Sequence, residues 1–173
     1  DFGELDGGWM HAVGRGDGDG VKKRAYLERP RGHSKTTDLA VMTVWALAFS
    51  ARRLSGIAAA ADREQAGLLK AAMERLIGIN SWLSDVLEVQ KYRVINKRTK
   101  SKMDVVASDE ATSYGLTPDF IVADEITHWT SDGLWNSLFS AAAKRRHCML
   151  VVISNAGTGA GESWQWKLRE RVQ

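Results

Sequence analysis

The sequence holds one cysteine, Cys148, in 173 residues. That excludes an internal disulfide, and a lone thiol fits a reducing compartment. No apolar run approaches the ~20 residues that a membrane span requires, and no signal-peptide pattern opens the chain. Neither sign of charge dominates: 24 basic against 21 acidic residues leave a formal net charge of +3. Such a balance permits an acidic partner such as nucleic acid without demanding one. No internal repeat is present. His11, His33, His128 and His147 have no metal-ligand spacing among themselves or with Cys148, so no transition-metal site is expected. What remains, 44% hydrophobic and 26% charged residues, is a globular composition at the usual size of one domain. The chain opens at Asp1 and stops at Gln173 inside what reads as a charged helix from Glu162 to Val172, so it is expected to be a piece of something longer.

Residues 1–20 carry seven glycines and little periodicity, and read as a flexible lead-in to a domain over 21–173. From Arg24 short apolar runs alternate with helical stretches. Strands are expected at Arg24–Glu28, Gly56–Ala61, Asp119–Ala123 and Cys148–Ile153, with two or three more between Trp82 and Ala107. Thr37–Ser50 reads as a helix apolar on most sides. A second helix follows Asp62, whose spacing to Gln65 suits a capping box, and stops at Gly78. A third runs from about Asp132 to Arg146. Strands that are apolar throughout, separated by helices, predict an α/β fold with a parallel sheet covered on both faces. Sheets of this kind bind ligands beyond the carboxyl ends of their strands.

Three of those strand ends carry chemistry. The first runs Glu28-Arg29-Pro30-Arg31-Gly32-His33-Ser34-Lys35-Thr36-Thr37. Its Lys-Thr pair sits between strand and helix as in the phosphate-binding pattern G-x-x-x-x-G-K-[ST], but Arg29 and Ser34 occupy the glycine positions. Such a loop aims backbone N–H groups and a helix N-terminus at a polyphosphate. Lys35 would reach the outer phosphates, and the Thr36 hydroxyl would hold Mg²⁺. A basic turn capping a buried helix explains the loop equally well. The second end, Asp119–Glu125, delivers two adjacent carboxylates from an apolar strand: one suits a Mg²⁺ shell and the other an attacking water. Acids at a helix start would explain one of these, but not a phosphate loop upstream in the correct order. The third end, Ser154-Asn155-Ala156-Gly157-Thr158, offers small polar groups where a neighbouring strand would abut a γ-phosphate. Alone it reads as a turn after a core strand.

The order of these motifs resembles the ATPase domain of tailed-phage large terminase subunits. Arg29–Thr37 is similar to their arginine-bearing Walker A loop, and Ala59–Ala66 to the segment after their second strand. Gly115–Trp129 resembles their Walker B region, and Ser154–Gly157 lies where their coupling motif lies. The resemblance implies a three-layer P-loop NTPase of the additional-strand (ASCE) type with a mostly parallel central sheet. Its cofactors would be ATP and Mg²⁺. Its function would be ATP hydrolysis driving double-stranded DNA into a procapsid, in a homo-oligomeric ring with portal protein and small terminase subunit, in the host cytoplasm and away from membranes. Carried over, Arg29, Pro30, Arg31, Gly32, His33, Ser34, Lys35, Thr36 and Thr37 form the nucleotide loop. Lys35, Arg31 and Glu125 are catalytic, Thr36 and Asp124 support the metal, and Ser154 and Asn155 couple hydrolysis to motion. Two positions depart from the pattern: Ser34 stands where relatives usually have glycine, and Tyr114 where some have an arginine that reaches a neighbour. The family's nuclease domain has no counterpart here, so DNA cutting is not expected. A helicase-like motor and a non-catalytic nucleotide-binding assembly module stand as alternatives.

Other features have plainer readings. Lys144, Arg145 and Arg146 suit a helix C-terminus, with an arginine finger or DNA contact as the alternative. Lys97, Arg98, Lys100 and Lys102 read either as a solvated hairpin turn or as a track for a phosphate backbone. Trp45 and Trp135 fall on apolar faces and are expected in the core, whereas Trp129, Trp164 and Trp166 are candidates for packing against a further domain or subunit.

Overall fold

The computed structural model describes residues 23–30, 32–107, 117–155 and 161–170. The glycine-rich lead-in, Arg31, Tyr114 and Ala156–Thr158 lie outside these residues. The apolar segments form strands β1 (Arg24–Glu28), β2 (Ser55–Ala60), β3 (Leu87–Gln90), β4 (Arg93–Asn96), β5 (Lys102–Ala107), β6 (Phe120–Asp124) and β7 (Met149–Ser154). Between and after them lie α1 (Lys35–Phe49), α2 (Arg63–Ile79), α3 (Ser81–Val86), a 3-10 turn (Ile126–His128), α4 (Gly133–Ala143) and α5 (Trp164–Glu170). One sheet takes the order β1-β7-β6-β2-β5-β4-β3. The first five strands in that order run parallel, and β4 and β3 extend the sheet as an antiparallel edge. The expected parallel sheet is therefore present, with a hairpin added at one side.

Side chains alternate across each central strand, so both faces are apolar. Ala58, Phe120, Val122, Met149 and Val151 enter one core with Leu39, Leu47, Leu69 and Met73 of α1 and α2. Ile57, Ile121, Leu150 and Val152 enter the other with Trp135 and Leu138 of α4, and Trp164 and Leu168 of α5 pack against it. Gly56 lets β2 lie under Phe120: a Cβ there would stand 2.0 Å from the Phe120 ring. No helix among the described residues is long and apolar enough to cross a membrane.

Several boundaries differ from the sequence reading, each for a local reason. Helix α1 begins at Lys35 rather than Thr37, because Ser34 adopts a left-handed turn (φ 52°) and its carbonyl accepts the Asp38 N–H at 3.0 Å. Asp62 caps α2 as expected, accepting the Gln65 N–H at 2.8 Å. Gly78 does not end that helix; it continues to Ile79, and the Asn80 amide closes it on the Leu76 carbonyl at 2.9 Å. Helix α3 was not expected, and its last residue, Val86, is the first of a strand read over Val86–Val89. Helix α4 stops at Ala143, three residues before Arg146. Lys102 belongs to β5 and not to the preceding turn.

Candidate functional site

The parallel register brings three strand ends to one rim. Glu28 pairs with Ser154, and Asp124 with Ile153, so the ends of β1, β7 and β6 lie side by side with β7 in the middle. The loop after β1 leads directly into α1, whose first N–H groups have no intrahelical partners. Ser34 supplies no side-chain cap for them. They remain available to an anion at this rim.

Lys35 is 8% exposed. Its Nζ lies 3.4 Å from Oε2 of Glu125 and donates to the carbonyls of Arg29 at 3.0 Å and Pro30 at 3.4 Å. The amine and the paired acids thus meet at one place although 90 residues separate them in the chain. The Thr36 side chain sits beside Asp124 and favours that acid's charged form. Arg29 pairs with Asp38 in the first turn of α1, and its N–H donates to the Ser154 carbonyl at 3.0 Å. Gly32, His33, Ser34 and Thr37 are exposed, Gly32 and Ser34 with positive φ of 81° and 52°. A left-handed serine costs about 1–2 kcal/mol relative to a relaxed backbone, so the departure from glycine at this position is a real strain.

Glu125 is the second non-glycine residue here with positive φ, at 48°. Its N–H donates to the Ile153 carbonyl at 2.7 Å, which fixes the turn out of β6. That turn points the carboxylate at β7. Oε1 accepts from the Asn155 N–H at 2.7 Å, from Ser154 Oγ at 3.1 Å and from Thr127 Oγ1 at 3.1 Å. Thr127 Oγ1 also lies 3.1 Å from Asn155 Oδ1 and 3.3 Å from Ser154 Oγ. The two acids titrate differently as a result. Burial, followed by the neighbouring Glu125 charge, pushes Asp124 up to about 6 against the pull of Lys35, the Glu125 N–H and Thr36. Burial also raises Glu125, but the Asn155 N–H, Lys35, Thr127 and Ser154 outweigh it and hold the group below its ordinary value. Glu125 is therefore an ionised acceptor at neutral pH, and Asp124 a buried acid whose charge is incompletely compensated.

The structure brings together Lys35, Thr36, Asp124, Glu125, Ser154 and Asn155 from the sequence reading. Arg31 lies outside the described residues. Thr127 was missed. Two residues after an acid at a strand end it looks like ordinary turn polarity, and only the left-handed backbone at Glu125 folds it back onto the carboxylate. Trp129 is corrected: it is 1% exposed and donates Nε1 to the Asp124 carbonyl at 3.1 Å. It braces the strand end from inside instead of facing a further domain or subunit. Trp164 packs against it, ring centroids 6.4 Å apart.

The family profile described as terminase large subunit, ATPase domain, matches residues 8–169. The chain belongs to that family. Among solved structures, this terminase domain superposes on the HK97 bacteriophage large terminase with TM-score 0.73 at 18% identity, covering 87% of this chain and 32% of that one. The ATPase domain of the Thermus phage P74-26 large terminase gives TM-score 0.64 at 17% identity, covering 80% and 61%. The large terminase of the thermophilic bacteriophage D6E in complex with ADP gives TM-score 0.58 at 10% identity, covering 85% and 38%. These likenesses establish the fold: an additional strand, β7, stands between the loop-bearing β1 and the acid-bearing β6. This terminase domain spans only about a third of the HK97 chain. No curated protein matches its sequence.

Proposed function

We propose that this chain binds and hydrolyses ATP as the motor domain of a large terminase, driving double-stranded viral DNA into a procapsid. The carrying observation is the approach of Lys35 Nζ to Glu125, 3.4 Å, at the rim where Thr36 lies beside Asp124. Family membership supports the motor reading, and the ADP complex of the D6E protein supports the nucleotide. A ring of copies, a portal protein, a small terminase subunit and the host cytoplasm as the place of action belong to the same proposal.

The N–H groups at the start of α1 and the Lys35 ammonium would receive the β- and γ-phosphates. A hydroxyl beside a carboxylate, Thr36 with Asp124, is the hard-oxygen donor set that Mg²⁺ prefers, and the undercompensated buried charge of Asp124 fits a cation there. Bound Mg²⁺ supplies neutralisation of phosphate charge. Glu125 would orient the attacking water and accept its proton. Ser154 and Asn155 hold that acid from β7, whose Ser154 carbonyl is bonded to the phosphate loop at Arg29. A displacement of the loop on hydrolysis therefore reaches Glu125 through one short segment.

Phosphate release with and without double-stranded DNA tests the whole reading: stimulation by duplex is expected, and no release under either condition overturns it. Lys35→Ala should weaken ATP binding at least tenfold, the loss of about 1.5–3 kcal/mol expected for a charged hydrogen bond. Unchanged affinity in equilibrium binding would remove Lys35 from the phosphate site. Thr127→Val preserves shape but deletes one of three donors to Glu125 Oε1. Turnover should fall about tenfold with ATP affinity unchanged, as for a positioning residue; an unaltered kcat would show that Ser154 and Asn155 suffice.

A further inference from the structure

The rim opposite this site has a charge pattern that the nucleotide chemistry does not use. Six strands begin at this rim, and three of the connections that meet there are basic: residues 50–54 before β2, 97–101 between β4 and β5, and 144–148 before β7. Eight of these fifteen residues are Lys or Arg, and none is Asp or Glu, in a chain whose net charge is only +3. Composition does not explain that segregation. Arg52 and Arg145 converge on one buried acid, Asp119, at 2.7 and 2.6 Å, which ties two of the connections together. Arg53, Arg98, Lys100, Lys144 and Arg146 are exposed. None of the five enters an ion pair among the described residues.

The spacing matters as much as the sign. From β7 to β5 the sheet order crosses three strand intervals, about 14 Å at ~4.8 Å per strand. A major groove is ≈ 12 Å wide, so the patch is long enough to meet phosphates on both strands of a duplex. Its side chains are long, flexible cations, the donors that phosphate oxygens accept. That chemistry suits a sequence-independent backbone contact. The strands separate this rim from the acids at the other by about 17 Å, five residues at ~3.3 Å, so duplex and nucleotide would not compete.

We infer that this amino-end rim, carried by Arg53, Arg98, Lys100, Lys144 and Arg146, is the surface on which the domain holds the phosphate backbone of double-stranded DNA. The choice of ligand rests on the motor reading above; the placement rests on charge and topology alone. The test is the affinity of the chain for a short labelled duplex, measured by fluorescence anisotropy across about 50–200 mM salt. The variant Arg53→Gln/Arg98→Gln/Arg146→Gln removes one charge from each connection and spares the Asp119 cluster. It should bind at least tenfold more weakly and lose about 3 from the slope of log K against log salt. The control Arg75→Gln/Lys91→Gln/Lys167→Gln makes the same change in net charge elsewhere and should stay within about twofold of the parent. Both variants should keep the parent's phosphate release in the absence of DNA, which confirms that they fold. If the parent hydrolyses ATP but binds no duplex, the DNA reading falls and the rim falls with it. If the parent binds and the rim variant matches the control, or if a single strand binds more tightly than the duplex, the rim assignment alone is overturned.

Discussion

Glu125→Gln should reduce ATP turnover by about 10²–10⁴-fold, the range for removing a positioned general base, while ATP binding stays at least as tight. The amide is nearly isosteric, and its oxygen can still accept from the Asn155 N–H, Ser154 and Thr127, which now hold Oε1 at 2.7–3.1 Å. What the substitution removes is the negative charge facing Lys35 at 3.4 Å. That carboxylate competes with phosphate for the same ammonium, so its loss leaves Lys35 more available to nucleotide. Single-turnover phosphate release together with equilibrium ATP binding separates the two effects. A loss of turnover with retained binding is the signature of an interaction made in the transition state. Undiminished hydrolysis would take the role away from Glu125.

The features that were legible in the sequence share a cause: each is set by neighbours along the chain or by burial on both faces of a strand. The run Phe120–Ala123 is apolar because β6 is covered on both sides, and a carboxylate where such a run ends must lie at a sheet rim. The Asp62–Gln65 cap needs only three residues of spacing. The site was readable to the same extent, because Lys35 and the Asp124–Glu125 pair follow strands that lie parallel. The missed features depend on backbone angles or distant partners. Nothing in the Glu125 side chain announces a left-handed turn, so the return of Thr127 was invisible. Trp129 follows an acidic strand end, and its burial depends on α4 and on Trp164 of α5 packing around it and on the Asp124 carbonyl accepting its indole N–H. Helix α3 is a single short segment between α2 and β3, where six residues give too little periodicity to read. The segregation of basic residues to one rim was likewise hidden, because the three connections are remote in sequence and only the strand order assembles them.

The Asp119 cluster carries the largest stability prediction, and its form is non-additive. Asp119 has 4% side-chain exposure and accepts from Arg52 at 2.7 Å, Arg145 at 2.6 Å and the Ser55 N–H at 2.8 Å. The two arginines are 40% and 42% exposed, so either one alone is a partly screened partner. Arg52→Ala or Arg145→Ala leaves the carboxylate paired with the other guanidinium and should cost about 0.5–1 kcal/mol. Removing both strands a buried charge with one backbone donor, and a carboxylate in that position costs about 3 kcal/mol or more. The double variant should therefore exceed the sum of the singles by about 1–2 kcal/mol, the coupling expected within one network. Urea unfolding measures this directly, provided the m-values of the four proteins agree. On heating, the double variant should melt about 6–12 °C lower, at ~2–4 °C per kcal/mol for a chain of this size. Additive losses would mean that the arginines do not share the burden of Asp119. Asp119→Ala provides the complementary measurement. It deletes the buried charge along with its obligations, leaves two exposed guanidiniums free to hydrate, and should cost less than the double arginine variant although it removes the centre of the cluster.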